Sequence, residues 1–212
     1  RADIGTVYKQ QSSFLARKKG AALVARNIAG HLDNQLKKVG PEFSPLIHCW
    51  RGGQRSRAFA QICSEIGWKS YTLKGGYKSY RRSVLRDLEE IATTLVFIVI
   101  AGRTGSGKTD ILKELMHEGA QVLDLEGLAV HRGSLLGKIE NRLQPSQRLF
   151  ESNLCSDLLK FNLKKPIYVE SESSKIGNVQ IPKDVWKQIV AAPMISIITP
   201  SSARATYLLA EY

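Results

Sequence analysis

The sequence predicts an α/β protein built of two parallel-sheet domains, residues 1–90 and 91–212. Three observations carry this prediction. A short apolar run at 44–48 leads into the loop Cys49-Trp50-Arg51-Gly52-Gly53-Gln54-Arg55-Ser56 and then into a helical pattern. A longer apolar run at 94–101, rich in β-branched residues, leads into Gly102-Arg103-Thr104-Gly105-Ser106-Gly107-Lys108-Thr109 and a second helical pattern. Strand-length apolar runs and helical patterns continue to alternate after that, as they do when helices connect parallel strands.

Taken in order, the first helix is expected from about Ser12 to Lys38. Val24, Ile28, Leu32 and Leu36 recur four apart on one face, and Gly40-Pro41 ends it. Ser44 to His48 is a strand, and Gln54 to Ile66 a helix with Ala58, Ile62 and Ile66 at helical spacing, stopped by Gly67. Trp68 to Leu73 reads as the next strand, and Gly75-Gly76 opens a basic helix from Tyr77 to about Ile91.

In the second domain, the run 94–101 suits a strand buried on both faces of a parallel sheet. Gly102 to Thr109 matches G-x-x-x-x-G-K-[ST] at every fixed position and stands in the strand-loop-helix context that motif requires, with Asp110 to His117 as the helix. Its amides would wrap a diphosphate at Gly102, Gly105, Ser106 and Gly107. Lys108 would reach the terminal phosphate, and the Thr109 hydroxyl a magnesium ion. Gln121 to Leu125, Pro166 to Val169 and Pro193 to Ile198 are the remaining candidate strands. Asp124, Glu126, Glu170 and Glu172 fall at strand ends, where acids hold magnesium, orient a substrate or cap helices.

The first loop is a cradle for an anion beside a thiolate. Amides of Arg51, Gly52, Gly53, Gln54 and Ser56 converge on the Cys49 sulfur with the positive end of a helix behind them, which lowers a thiol pKa and makes a nucleophile. Arg55 would fork onto a bound oxyanion. His48-Cys49-x-x-Gly52-x-x-Arg55-Ser56 fits the H-C-x-x-G-x-x-R-[ST] loop of cysteine-dependent phosphatases, although neither Asp3 nor Asp33 lies in a turn suited to the acid such enzymes need. It also resembles the persulfide-carrying loop of rhodaneses, with one residue more between Cys and Arg. Loop length alone leaves both open.

Gly75-Gly76 after the strand beyond the cysteine resembles the closing rhodanese signature. Together the Cys49 loop, Leu73-Lys74-Gly75-Gly76-Tyr77-Lys78-Ser79-Tyr80-Arg81-Arg82 and the Gly102 loop resemble, in this order, the motifs of the tRNA 2-selenouridine synthases, a rhodanese domain fused to a P-loop NTPase-like domain. Further stretches agree. They are Asp124-Leu125-Glu126-Gly127-Leu128-Ala129-Val130-His131-Arg132-Gly133-Ser134, Gln144-Pro145-Ser146-Gln147 with Phe150-Glu151, and Val169-Glu170-Ser171-Glu172-Ser173 with Ile176-Gly177.

The resemblance implies a selenotransferase acting on the wobble 2-thiouridine of tRNA, with selenophosphate and geranyl diphosphate as co-substrates and a geranylated intermediate. Cys49 would carry selenium as a selanylsulfide, and Arg55 with the loop amides would hold selenophosphate. The second loop would grip the prenyl diphosphate or a nucleotide with Mg2+, and His131 and Arg132 would face it. A selenophosphate-producing enzyme is an implied partner. The family begins with a strand well before the cysteine and continues into a basic helical tail, so this chain is expected to be a fragment. The alternative activity is a cysteine-dependent phosphatase or sulfurtransferase fused to a nucleotide-binding domain; a binding module whose Cys49 loop only senses oxyanions is another.

Composition bounds the answer separately. The 212 residues carry 31 Lys+Arg against 19 Asp+Glu, a net charge of +12 that favours a polyanionic partner. Lys74, Lys78, Arg81, Arg82 and Arg86 form the densest basic set, expected to touch phosphate backbone with Tyr77 and Tyr80 beside them. The three cysteines, Cys49, Cys63 and Cys155, suit neither a disulfide framework nor a zinc site. The longest apolar run, Leu95 to Ala101, is too short to cross a bilayer, no secretory signal is visible, and a reducing cytoplasm is the expected compartment.

Overall fold

A computed structural model describes residues 2–132 and 142–211, so Gly133 and Ser134 of the motif after Asp124 lie outside the described residues. The chain divides into two compact units, 1–80 and 81–212. The division falls inside one helix.

In the first unit, helices α1 (Ala2–Gln10) and α2 (Ser13–Asp33) precede strand β1 (Leu46–Ile47), helix α3 (Gln54–Glu65), strand β2 (Tyr71–Thr72) and the first turn of α4 (Gly76–Ala92). Ser12 caps α2 by accepting from the Phe14 amide at 3.1 Å. That helix ends at Asp33 rather than Lys38. Asn34 takes the Gly30 carbonyl with both its amide, at 3.1 Å, and its side chain, at 2.7 Å, which closes the last turn. The expected apolar face survives the shortening, because Ile28 is buried and Leu32 and Leu36 pack on the unit's core of Ile47, Cys63 and Trp68. Trp68 fits there because its indole N–H donates to the Gly40 carbonyl at 3.0 Å.

Helix α3 differs from expectation in phase. Ala58, Ile62 and Ile66 face outward, while Ser56, Phe59, Ala60 and Cys63 face inward. The loop before the helix sets this rotation, since Ser56 must meet Cys49. Strands β1 and β2 pair in parallel over only two residues each, so the runs 44–48 and 68–73 are mostly loop.

The second unit is a four-stranded parallel sheet in the order β4-β5-β3-β8: β3 (Phe97–Gly102), β4 (Gln121–Leu123), β5 (Ile167–Glu170) and β8 (Met194–Ile197). A small antiparallel hairpin, β6 (Lys175–Ile176) and β7 (Val179–Gln180), follows β5. Helices α5 (Lys108–His117), α6 (Leu125–Ala129), α7 (Gln147–Leu158), α8 (Lys183–Ala191) and α9 (Ser201–Glu211) complete it. Alternation along β3 explains the layers. Phe97 and Val99 point into a core with Val84 and Leu88 of α4, Phe150 and Leu154 of α7, and Val185 and Ile189 of α8. Ile100 joins Leu112 of α5 and Val122 on the other face. The central strand is thus buried from both sides, as its apolar run predicts.

The turn between β2 and α4 lies against the loop after β1. Gly52 and Gly76 both have positive φ, 63° and 60°, and a Cβ on Gly76 would strike the Cys49 carbonyl and the Gly52 amide. The approach is clinched by the Tyr77 amide donating to the Cys49 carbonyl at 2.9 Å and the Lys78 amide to the Trp50 carbonyl at 3.1 Å. Gly76→Ala is therefore expected to destabilise the first unit by more than about 2 kcal/mol, because the obstructing atoms are backbone. Thermal unfolding followed at Trp68 checks this, and an unchanged midpoint would contradict it.

Candidate functional sites

Each unit places one glycine-bearing loop at the end of a parallel strand, ahead of a helix. In the first unit, Gly53 precedes α3 and its amide donates to the Cys49 sulfur at 3.2 Å. The Ser56 hydroxyl is buried, 3.4 Å from the same sulfur and 3.0 Å from the Gly53 carbonyl, so its proton can go to the carbonyl beside the neutral thiol or to the sulfur once that is ionised. Partial burial pushes the Cys49 thiol up, but the Ser56 hydroxyl and the amides of Gly53, Ser56 and Arg51 outweigh it and bring the pKa down to about 6. Cys49 is half-buried, so the thiolate that results at neutral pH remains reachable. Arg51, Gln54 and Arg55 are exposed around it. Cys63 is fully buried in the core, which raises its pKa and leaves it inert.

In the second unit the loop 103–107 links β3 to α5 through Gly105 and Gly107, with φ of 80° and 79°. Lys108 folds back and donates to the Gly102 carbonyl at 2.9 Å. The Ser106 side chain is buried and its hydroxyl has no hydrogen-bond partner. A cavity of about 470 Å³ opens here, lined by Gly102, Thr104 to Thr109, Lys113, Glu126, Arg132, Glu170 to Glu172, Tyr207 and Leu208. Helix α9 forms one wall. Arg204 donates to the Thr104 carbonyl at 3.0 Å, Tyr207 donates to Asp110 at 2.6 Å, and Leu208 packs where a Cβ on Gly105 would fall.

Three of the four expected acids meet in this cavity. Glu126, Glu170 and Glu172 each bring a carboxylate oxygen within 4.8 Å of the others. Glu170 ends β5, next to the strand that carries the phosphate loop, and is almost fully buried. Burial, then Glu126, Glu172 and Asp124, push its pKa to about 8 against the pull of Lys108. Burial, then Glu172 and Asp124, push Glu126 to about 7. Burial likewise raises Glu172, opposed by Lys108 and by its hydrogen bond with Glu126. Such a set, beside an orphaned buried hydroxyl, fits a divalent cation.

The fourth acid serves otherwise. Asp124 caps α6, its carboxylate accepting the Gly127 amide at 2.7 Å, and it lies outside the triad. Arg132 lines the cavity as expected, whereas His131 lies against the hairpin at Gly177. One neutral side chain ties these parts together. Gln144 donates to the carbonyls of Ala129 at 3.0 Å and Ile176 at 3.2 Å, and accepts from the Asn178 amide at 2.9 Å.

The basic set of α4 and the turn before it does not act as one. Lys74, Lys78 and Arg82 are exposed. Arg81 is a correction: its side chain is only 15% exposed and pairs with Glu151 of α7, which removes it from any outside phosphate. Arg86 remains exposed but is engaged by Asp87 at 2.8 Å and Glu90 at 3.7 Å. Lys113 and α9's Tyr207 and Leu208 are site residues that sequence reasoning missed, while Ser171 of the motif Val169 to Ser173 lines the cavity between the two glutamates. Nothing in the pattern near residue 207 signals a wall for a loop at residue 105.

A family profile described as the tRNA 2-selenouridine synthase AAA domain matches residues 95–212. Among curated relatives, the tRNA 2-selenouridine synthase of Shewanella sediminis is 36% identical over 219 residues, covering 100% of this chain and 57% of its own length. Those of Nitrosomonas europaea and Bdellovibrio bacteriovorus are 34% and 36% identical, covering 100% of this chain and 56% of their own lengths. The chain thus spans little more than half the length of the curated relatives it matches. Among the described residues no helix is long and apolar enough to cross a membrane.

Two pH dependences follow. Alkylation of Cys49 by iodoacetamide is expected to rise with a midpoint near pH 6, and Ser56→Ala to move that midpoint up, read by mass spectrometry against unreactive Cys63. In the second unit, carboxyls whose pKa rises on folding favour the folded state while protonated. That contribution is complete below the ordinary value of 4.5 and is lost as pH rises through about 7 and about 8. Without divalent cation, the unfolding midpoint should therefore fall over this range, and Glu170→Gln should flatten the fall. An equal slope in the variant would contradict the cluster's role.

Proposed function

Because the chain belongs to the tRNA 2-selenouridine synthase family, we propose that it is part of a tRNA-modifying selenotransferase. In this reading it converts wobble 2-thiouridine to 2-selenouridine with selenophosphate, by way of a geranylated sulfur made from geranyl diphosphate. The observation that carries the proposal is the Cys49 cradle. Its thiol is brought to about 6 by a hydroxyl and loop amides, beside the exposed guanidinium groups of Arg51 and Arg55. In this reading Arg55 with the amides holds the phosphoryl oxygens of selenophosphate, water takes the phosphoryl group as phosphate, and Cys49 receives the selenium as a selanylsulfide while a disulfide oxidant accepts the two electrons.

The second unit supports the activation step. Sulfur that attacks the geranyl carbon displaces diphosphate, the alkylated sulfur then leaves the uridine as a thiolate when the terminal selenium of the adduct takes its place, and thiol reductants cleave the remaining Se–S bond to free Cys49. The amides of residues 103–107 and Lys108 receive the diphosphate, and Arg132 faces the same cavity. Thr109, Glu126, Glu170 and Glu172 are the residues that would hold Mg2+, which stabilises charge on a departing diphosphate when bound. The mostly polar lining suits two phosphates, whether of geranyl diphosphate or of a nucleotide. Lys74, Lys78 and Arg82 offer exposed charge to the tRNA backbone. A reducing cytoplasm and an enzyme supplying selenophosphate complete this reading.

Incubation with selenophosphate and a disulfide oxidant is expected to add selenium to Cys49 in intact mass, and Cys49→Ser to abolish both the adduct and 2-selenouridine. Lys108→Ala should keep the adduct but weaken calorimetric binding of geranyl diphosphate roughly tenfold or more, the scale of a lost charged phosphate contact. ATP binding in parallel tells which diphosphate the loop prefers. Formation of 2-selenouridine by Cys49→Ser would overturn the assignment.

A further inference from the structure

The nucleophile of the first unit stands between two aromatic residues, and a third locks onto both. His48 and Trp50 flank Cys49, and the Tyr77 ring stacks on each, with centroids 6.3 Å and 5.4 Å apart and ring planes within 28° and 26°. Tyr80 extends the group at 5.9 Å from Tyr77. None of the four rings belongs to the unit's apolar core, which Ile47, Cys63, Trp68 and their neighbours fill. His48 and Tyr80 are exposed, and Trp50 and Tyr77 half-buried.

We propose that this cluster is a stacking ledge for a single nucleobase of an RNA substrate, brought to Cys49; the proposal deepens, and rests on, the tRNA reading above. Charge and ligand chemistry both favour a base. Segments 43–64 and 66–80 contain no acidic residue, while Arg51, Arg55, Lys74 and Lys78 are exposed within them. A small oxyanion needs the amides and arginines of the Cys49 loop but gains nothing from four rings. An unpaired base needs the rings, since each base has a π-face that stacks on aromatic side chains while nearby cations take its phosphates. The Tyr77 and Lys78 amides fix the ledge to the loop by bonding the carbonyls of Cys49 and Trp50, so the rings and the sulfur keep one geometry.

The test is a cycle between ring and base. Binding of a labelled anticodon stem-loop RNA carrying wobble 2-thiouridine is compared with the same RNA made abasic at that position. Trp50→Leu and Tyr80→Leu are expected to weaken binding of the intact RNA roughly tenfold and to leave binding of the abasic RNA unchanged. Trp50→Phe and Tyr80→Phe, which keep a ring, should retain most of the affinity. An alkylation midpoint for Cys49 still near pH 6 shows that the cradle is folded in each variant.

Equal losses on both RNAs, or no loss on either, overturn the ledge. Loss of binding by the unaltered protein to both RNAs overturns it together with the tRNA reading. The selenium adduct separates the two ideas. An adduct on Cys49 without ring-base coupling removes the ledge alone, and coupling without an adduct keeps the ledge and removes the selenium assignment.

Discussion

A helix that follows a parallel strand begins with amides that have no carbonyl of their own helix to receive them, and both units are organised around where those amides go. In the first unit the start of α3 directs the Gly53 amide to the Cys49 sulfur, where it joins the Ser56 hydroxyl in making the thiol acidic. The start of α4 does the opposite and gives its Tyr77 and Lys78 amides to the carbonyls of Cys49 and Trp50. One helix end thus serves chemistry, and the other holds the reacting loop in place. Gly52 and Gly76 permit this because their backbones meet where a Cβ would collide.

The second unit faces a different balance. Three carboxyls share a buried corner with one lysine, so burial and mutual repulsion favour protons on the acids, while Lys108 favours charge. A cation among them would reverse that preference, and a diphosphate at the neighbouring loop would take Lys108 from the Gly102 carbonyl. Anion and cation sites of this kind fill together, because each charge lowers the cost of burying the other.

Much of this was legible in the sequence where local rules dominate. The Gly102–Thr109 loop, the β-branched run before it and the bounds of α4 follow from periodicity and glycine chemistry; α4 lies within a residue of its expected bounds, while the strand starts three residues late, at Phe97. Contacts between distant residues were not legible. The phase of α3 depends on Ser56 meeting Cys49, so counting Ala58, Ile62 and Ile66 selected the outward face. Arg81 looks like one of several surface cations until Glu151, seventy residues on, becomes its partner. Asp124 reads equally as ligand or cap, and only the Gly127 amide decides between them. The site wall made by α9 has no local signature at all.

Gln144 brings an unexpected division of labour to the acid cluster. Glu126 comes from α6, and Glu170 and Glu172 from the end of β5 leading into the β6-β7 hairpin. The side chain that staples the end of that helix to that hairpin carries no charge. Mutual repulsion among the carboxylates works to spread their parent elements apart, and a single amide group resists it with three neutral hydrogen bonds. The Gln144 fastening is thus insulated from pH and salt, since none of its three hydrogen bonds titrates or is screened, whereas the direct bond between Glu126 and Glu172 does respond to pH.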